Sequence, residues 1–446
     1  MSALDLLARH DAASPVAIGR DRVIAAAELC AHVAAVADAM PEAREGDEVV
    51  VMCRDRHRFA VALIAAWRRG FAVALPPSAQ PDAIDAVRRR GARTVIHDVD
   101  GVDRGIDVRS APIVEAARAR VGKEAFASIG PFDRDRVLAI VHTSGTTGTS
   151  LACAKTAGQL LGEAQVLVQS FEIARGVRVA AMVPPHHIYG LLFGVLVPLV
   201  AGGAYHRTTP LHPAEVAEVV RDGDVIVSVP AHLRALIASD AMPKPSRIFS
   251  SGAPLPPNVA EQLRLRFGWI VTEVFGSTET GGIAWRQSGG RGAWAPLPGV
   301  VVRAEDERLV LDSPFLSPSE PRPYRGADRV QLLEDGTFLH LGRADGVLKV
   351  GGVRVSIAEI EARLMAIEGV RDAAAIGVEV EGPRGVEVWA AVESDLSVSE
   401  IRRELVRWLA PVAVPRRIKV AGALPREPNG KVTRAALEAL FTRRDR

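Results

Sequence analysis

The first hundred residues alternate between two periodicities, and that alternation limits the folds open to the chain. "AAAELCAHVAAVADAM" has helical spacing, "DEVVVMC" reads as a strand, "HRFAVALIAAWRRG" reads as a helix with Gly70 as its stop signal, and "FAVALPP" is the next strand. Short apolar strands separated by helices predict an α/β sheet with crossover helices. The alternation resumes in "VRVAAMVPP", "VIVSVP", "HLRALIAS", "RIFSSG" and "PNVAEQLRLRFG". From about Trp294 it gives way to short strands and turns, with Glu334-Asp335-Gly336 as a hairpin turn. The last hundred residues read as a small α+β unit, with possible capping boxes at Ser356/Glu359 and Ser397/Glu400. A chain of 446 residues is long for one core. The turn around Gly342 to Gly346 is the expected boundary, giving domains 1–343 and 344–446.

Several classes are excluded early. The net charge is +2, which argues against nucleic acid or another general polyanion as partner. The three cysteines, Cys30, Cys53 and Cys153, form no CxxC and no metal spacing. The N-terminus mixes charges early and does not read as a signal peptide. The uncharged run from Ile188 to Tyr205 is interrupted by Pro198 and four glycines, so it reads as a buried helix and not a membrane span. A cytoplasmic protein is expected.

An apolar run, "RVLAIV", leads into "VHTSGTTGTSLACAK", where Thr143 to Ser150 hold two glycines and six Ser/Thr side chains. Glycines let backbone N–H groups converge on an anion, and hydroxyls add donors. Such a loop suits phosphate or pyrophosphate, although a Ser/Thr/Gly cluster alone also describes a plain solvated loop. Walker A spacing is absent.

"TSGTTG" resembles the phosphate loop of the adenylate-forming superfamily of acyl-CoA synthetases, adenylation domains and luciferase-type enzymes. Further segments with that resemblance follow in order: "PPHHIYG", "SSGAPLPP", "FGSTETGG", "YRGADRV", "GRADGVLKVGGVRVSIAEIE" and "PREPNGKVTRAAL". The resemblance runs from about residue 20 to the end. It implies a large N-terminal domain of α/β sheets with a small β-subdomain, and a mobile α+β C-terminal domain. It also implies a two-step reaction, in which a carboxylate attacks the α-phosphate of ATP and a thiol then displaces AMP.

By this resemblance Thr143, Ser144, Gly145, Thr146, Thr147 and Gly148 cradle phosphates, Thr278 contacts the α-phosphate and Glu279 holds Mg²⁺. Gly252, Ala253 and Pro254 form the adenine turn, Phe275 beside Gly276 stacks on the base, and Asp328 and Arg343 serve the ribose. Lys431 bridges the carboxylate and the α-phosphate. Asp345 is the hinge position, and Lys349 and Gly352 face the thiol in a second conformation. The family loop continues Pro-Lys-Gly where this chain has Ser150, Leu151 and Ala152, so the loop cation is absent. Lys155 stands four residues on and reaches the phosphates only if the chain bends; otherwise the loop works through amides and hydroxyls.

The acyl pocket implied by the resemblance comprises His187, Tyr189, Gly190, Phe193, Gly276, Gly281, Gly282 and Ile283, with the glycines opening space near the reacting carboxyl. The short chain, the altered loop and "GSTETGGIAWRQ" look most like small acyl-CoA synthetase or AMP-ligase proteins of aryl-polyene-type clusters. That implies an aryl acid, such as a hydroxybenzoate or hydroxycinnamate, loaded onto the phosphopantetheine of an acyl carrier protein. The Arg-rich "RRELVRW" and "VPRRIK" would meet that acidic partner, or are solvated faces. A CoA ligase for aryl or medium-chain fatty acids and a catalytically impaired binding subunit are the other readings.

Overall fold

Strand runs that are apolar on both faces must be covered on both faces, and that requirement organises the N-terminal part of the chain. The computed structural model describes residues 4–77, 81–92, 94–102, 105–121, 129–142, 152–289, 292–343, 347–350, 353–380, 386–407, 409, 411, 413–427 and 430–442. Six strands form one sheet in the order Ile106–Asp107, Thr94–His97, Glu48–Met52, Ala72–Leu75, Val137–His142, Ala152–Thr156. All neighbours are parallel except the last pair, which is antiparallel. A nine-stranded sheet has a parallel centre through Val271–Ser277, Arg247–Ser250, Val225–Ser228, Arg178–Ala181, Ala204–His206 and Pro15–Ile18. One continuous apolar core joins the two sheets.

The apolar run after Ile188 forms a buried rod of three pieces: α-helix Ile188–Leu191, π-helix Leu192–Leu196 and α-helix Val197–Ala201, closed by left-handed Gly202. Among the described residues no helix is long and apolar enough to cross a membrane. A π-turn needs a local cause. Here a Cβ on Gly194 would lie 2.6 Å from Arg56 Nη1, so the guanidinium occupies the space beside that turn. Arg56 is wholly buried. Its Nη2 donates to the Ala181 and Val183 carbonyls and to Thr209 Oγ1, and its Nε donates to the His206 carbonyl. Arg56 opens the helix Arg56–Arg68 of the first sheet, and its acceptors lie at strand ends of the second. Burial lowers the guanidinium to about 10, so it remains charged.

Beyond the sheets, Val301–Glu305, Arg308–Asp312, Tyr324–Leu332 and Phe338–Arg343 make an antiparallel four-stranded sheet. Its last hairpin turns at Gly336 with φ +80°, as the Glu-Asp-Gly stretch predicts. The C-terminal unit pairs Val370–Glu379, Val386–Ser394 and Arg417–Ala421 under the helices Ile357–Met365 and Val398–Val406, with its own core. The Ser397/Glu400 capping box is present; the Ser356 side chain lies outside the described residues.

Arg56→Leu would leave three buried carbonyl acceptors and the half-buried Thr209 hydroxyl without their donor. We expect a loss of about 3 kcal/mol or more in urea unfolding, since each unsatisfied buried group costs roughly 1–3 kcal/mol. A loss below about 1 kcal/mol would show that the guanidinium does not couple the two sheets.

Candidate active site

The carboxyl ends of strands in an open α/β sheet leave a crevice. Here a cavity of about 150 Å³ lies in that position. The segments just beyond three central strands contribute Val183, Val229 and Ser251, and Val274 comes from the adjacent strand. His142, the last residue of Val137–His142, also lines the cavity. The Thr143–Gly148 loop lies outside the described residues, as do Asp345, Gly352 and the Lys349 side chain. The π-containing rod supplies an aromatic wall: Tyr189 and Phe193 have centroids 5.1 Å apart, and Phe193 packs on Phe249 at 4.9 Å. The hairpin of Val271–Ser277 and Gly281–Gln287 brings Gly276, Thr278, Gly281 and Gly282.

Lys431 reaches the same cavity from the C-terminal unit. A Cβ on the preceding Gly430 would lie 3.0 Å from Val229, which measures how closely the two parts meet there. Arg426 organises the approach. Its Nη1 donates to the Gly430 carbonyl, and its Nε and Nη2 grip both oxygens of Asp372 at 2.6 and 2.7 Å. Asp372 also pairs with Arg234 of the helix Pro230–Leu236, at 3.0 Å. Burial pushes the Asp372 carboxyl up, but the two arginines outweigh it and hold it below the usual range. His187 faces Lys431; burial, with the lysine's charge, lowers its imidazole to about 4, so it is neutral near pH 7.

Lys155, for which the sequence left two readings open, is buried beside the cavity rather than lining it. It lies on the strand Ala152–Thr156 and is 1% exposed. Its ammonium donates to the carbonyls of Glu279 (3.2 Å) and Phe315 (2.8 Å) and does not line the cavity. Its protons hold the 277–281 turn and the Ser313–Ser317 stretch against the strand. Ser317 completes that junction, donating from its hydroxyl to Ala154 and from its amide to the Glu279 carbonyl.

The pocket glycines also correct the sequence reading. A Cβ on Gly190 would meet the Pro184 carbonyl at 2.0 Å, and one on Gly276 the Gly281 carbonyl at 2.3 Å. Cβ atoms on Gly281 and Gly282 would meet the Glu163 carboxylate at 2.7 and 3.0 Å. Protein atoms already fill these directions, so the glycines permit close backbone approach rather than open room for an acid. Ile283 is buried in the core and does not line the cavity.

Phe275, Asp328 and Arg343 form a second group outside the cavity lining. Phe275 packs against Trp294 and against His340, whose centroids lie 5.5 and 5.1 Å away. His340 Nδ1 accepts from the Gly342 amide, so its Nε2 donates to Asp328 at 2.9 Å. Arg343, opposite Asp328 in the sheet register, lies 3.8 Å from the second carboxylate oxygen. Gly252, Ala253 and Pro254 form an exposed bend, and Gly252, at φ +86°, lines the cavity. Glu279 is half-buried beside Thr278.

Sequence reasoning missed His142, His340 and Glu163. Glu163 belongs to the helix Ala157–Ser170 and is 2% exposed; its Oε1 accepts from the Gly282 amide at 2.7 Å, and it lines the cavity. The Lys155–Glu163 spacing spans a strand-to-helix junction, so no single periodicity reveals that both turn inward. Burial, opposed by Lys155 and the Gly282 bond, raises the Glu163 carboxyl from 4.5 to about 7. Between these values the folded chain binds more protons at Glu163 than the unfolded chain, so this group's contribution falls as pH rises. Glu163→Gln should therefore gain in melting temperature over the parent as pH goes from about 5 to about 8. A constant difference across that range would contradict the raised carboxyl.

Two family models match the chain: the AMP-binding enzyme model over residues 7–321 and the AMP-binding enzyme C-terminal domain model over 359–431. The chain is 32% identical to the 4-coumarate–CoA ligase of Rhodobacter capsulatus over 297 residues, 66% of this chain and 74% of that protein. It is 26% identical to the L-proline–[L-prolyl-carrier protein] ligase of Pseudomonas fluorescens over 347 residues, 68% of each chain. The crystal structure of ATP-bound MatB from Rhodopseudomonas palustris superposes with a TM-score of 0.80 at 23% identity, covering 99% of each chain.

Proposed function

Because the chain belongs to the AMP-binding enzyme family of adenylate-forming ligases, we propose that it joins an aromatic carboxylic acid to a pantetheine thiol through an acyl-adenylate. The observation that carries this reading is Lys431, set by a separate C-terminal unit into a cavity built by the N-terminal sheets. In the first half-reaction a carboxylate oxygen attacks the α-phosphorus of ATP and the bond to the β-phosphate oxygen breaks, releasing pyrophosphate. Lys431 offers a compact cation where the attacking carboxylate and the α-phosphate bring their negative charge together. Neutral His187 beside it adds no competing positive charge. Thr278 offers a hydroxyl at the same place, and the loop beginning at Thr143 is proposed as the triphosphate cradle.

The group of Phe275, Asp328, His340 and Arg343 would take the nucleoside. The Phe275 ring would stack on adenine, and Asp328, already fixed by His340, would accept from ribose hydroxyls. Glu279 fits Mg²⁺, which favours one or two carboxylates together with phosphate oxygens and water; bound there, the ion would neutralise phosphate charge.

In the second half-reaction the thiol sulfur attacks the acyl carbon, the bond to AMP breaks and the thiol proton is lost to solvent. Asp345 is proposed as the hinge that withdraws Lys431 and turns Lys349 and Gly352 toward the thiol. The aromatic wall of Tyr189 and Phe193 supports an aryl acid, as does the similarity to a 4-coumarate–CoA ligase. That similarity favours CoA as acceptor. A carrier-protein arm presents the same thiol, and the carrier-protein ligase relative supports that variant.

Lys431→Ala should lower acid-dependent pyrophosphate release by on the order of 10²-fold or more, the scale of losing one charge-stabilising group. It should leave thioester formation from supplied acyl-adenylate within about threefold. Equal loss of both half-reactions would contradict the role assigned to Lys431. Arg234→Ala, which removes the N-terminal arm of the Asp372 clamp, should slow adenylate formation more than thioester formation; an equal effect on both would remove the clamp from the mechanism.

A further inference from the structure

The cavity holds a group that the two half-reactions do not use. Glu163 enters through the backbone gap at Gly281 and Gly282, while Lys431 enters on the face of His187 and Val229. One Glu163 oxygen is committed to the Gly282 amide. Among the described residues its other oxygen accepts no hydrogen bond, and Lys155 lies beyond ion-pair distance with its ammonium turned to two carbonyls. A buried carboxylate with spare lone pairs is costly unless a donor meets it. His142 lines the same cavity, 4% exposed, with no hydrogen-bond partner on either ring nitrogen among the described residues. Apolar walls around unspent polar groups describe a pocket that awaits a polar tip on an apolar body.

We propose that Glu163 is the specificity-determining residue of the acid site, and that it accepts a hydrogen bond from a phenolic hydroxyl or ring amine on the far end of an aromatic acid. This rests on the adenylating reading above. The substrate carboxylate goes toward Lys431, and Tyr189 and Phe193 flank the ring. The ring donor meets the free oxygen of Glu163 and displaces cavity water. The same charge turns away an acid that carries a second carboxylate at that end. Gly281 and Gly282 belong to the device, because a side chain at either position would meet the carboxylate. Buried Lys155 keeps a positive charge nearby, which favours the ionised form.

The test uses the full chain at about pH 8, with ATP and Mg²⁺, and four probes: benzoate, 4-hydroxybenzoate, 4-aminobenzoate and terephthalate. Thermal shift with each acid reads binding apart from turnover, and pyrophosphate release reads kcat and KM. The parent should favour the hydroxy and amino acids over benzoate by at least about tenfold in kcat/KM, since a site built to bond a donor rejects the analogue lacking it. It should also reject terephthalate. Glu163→Gln keeps an acceptor for Gly282, and Glu163→Asp keeps the charge one methylene back. In the Gln variant the preference should fall to within about threefold, through KM rather than kcat, with terephthalate newly accepted; the Asp variant should lie between. The same ranking should appear in the thermal shifts. A parent that does not discriminate, or a Gln variant that keeps the parent's ranking, overturns the assignment. Release with benzoate and the donor acids alike would sink this inference while leaving the adenylating function standing; discrimination in thermal shift without any release would do the reverse.

Discussion

A buried ammonium fixes the geometry of this protein's centre. Lys155 stands on an edge strand with no water to solvate it, and it satisfies itself on the carbonyls of Glu279 and Phe315. A charge in that position must bind its acceptors rigidly or lose several kcal/mol of solvation, roughly the penalty for an uncompensated buried ion. Three segments distant in sequence therefore converge on one nitrogen: the strand after the Ser/Thr/Gly loop, the turn carrying Thr278 and Glu279, and the Ser313–Ser317 stretch that leads toward Asp328. Further along, in the helix Ala157–Ser170, buried Glu163 pins Gly282 through one carboxylate oxygen. The hairpin beside the cavity is thus held from behind by one cation and one carboxylate.

On that frame, chemistry is divided between fixed and delivered groups. The cavity walls, the turn at Thr278 and the Phe275–His340–Asp328 cluster all belong to elements whose neighbours are buried sheets. Lys431 is delivered by a unit with its own core, held against the frame by Gly430 on Val229 and by the Arg234–Asp372–Arg426 clamp. Ion pairs across a small contact are reversible in a way that a shared apolar core is not. Such a contact suits the role proposed for Lys431, acting in one half-reaction and not in the next.

The sequence carried much of this. The alternation of strand and helix gives the two parallel sheets, the Glu-Asp-Gly turn gives the hairpin near Asp328, and the Ser397/Glu400 spacing gives a helix start. The ordered motifs lead to the family and to Lys431. Other features are three-dimensional and leave no local pattern. The inward turn of Lys155 depends on carbonyls more than a hundred residues away. The glycines of the pocket read as open space, yet Glu163 and neighbouring carbonyls fill their Cβ directions. The π-turn that includes Phe193 packs against the Arg56 guanidinium from a helix on the other sheet, which no periodicity within the rod can reveal.

The central claim is that this cavity activates a carboxylic acid with ATP. The most direct measurement is ATP- and Mg²⁺-dependent pyrophosphate release without thiol, across a panel of aromatic and aliphatic acids, with hydroxylamine present to trap acyl-adenylate as hydroxamate. The account predicts release driven by aromatic acids, with hydroxamate formed in step. Folded, ATP-binding protein that releases pyrophosphate with no acid would contradict it.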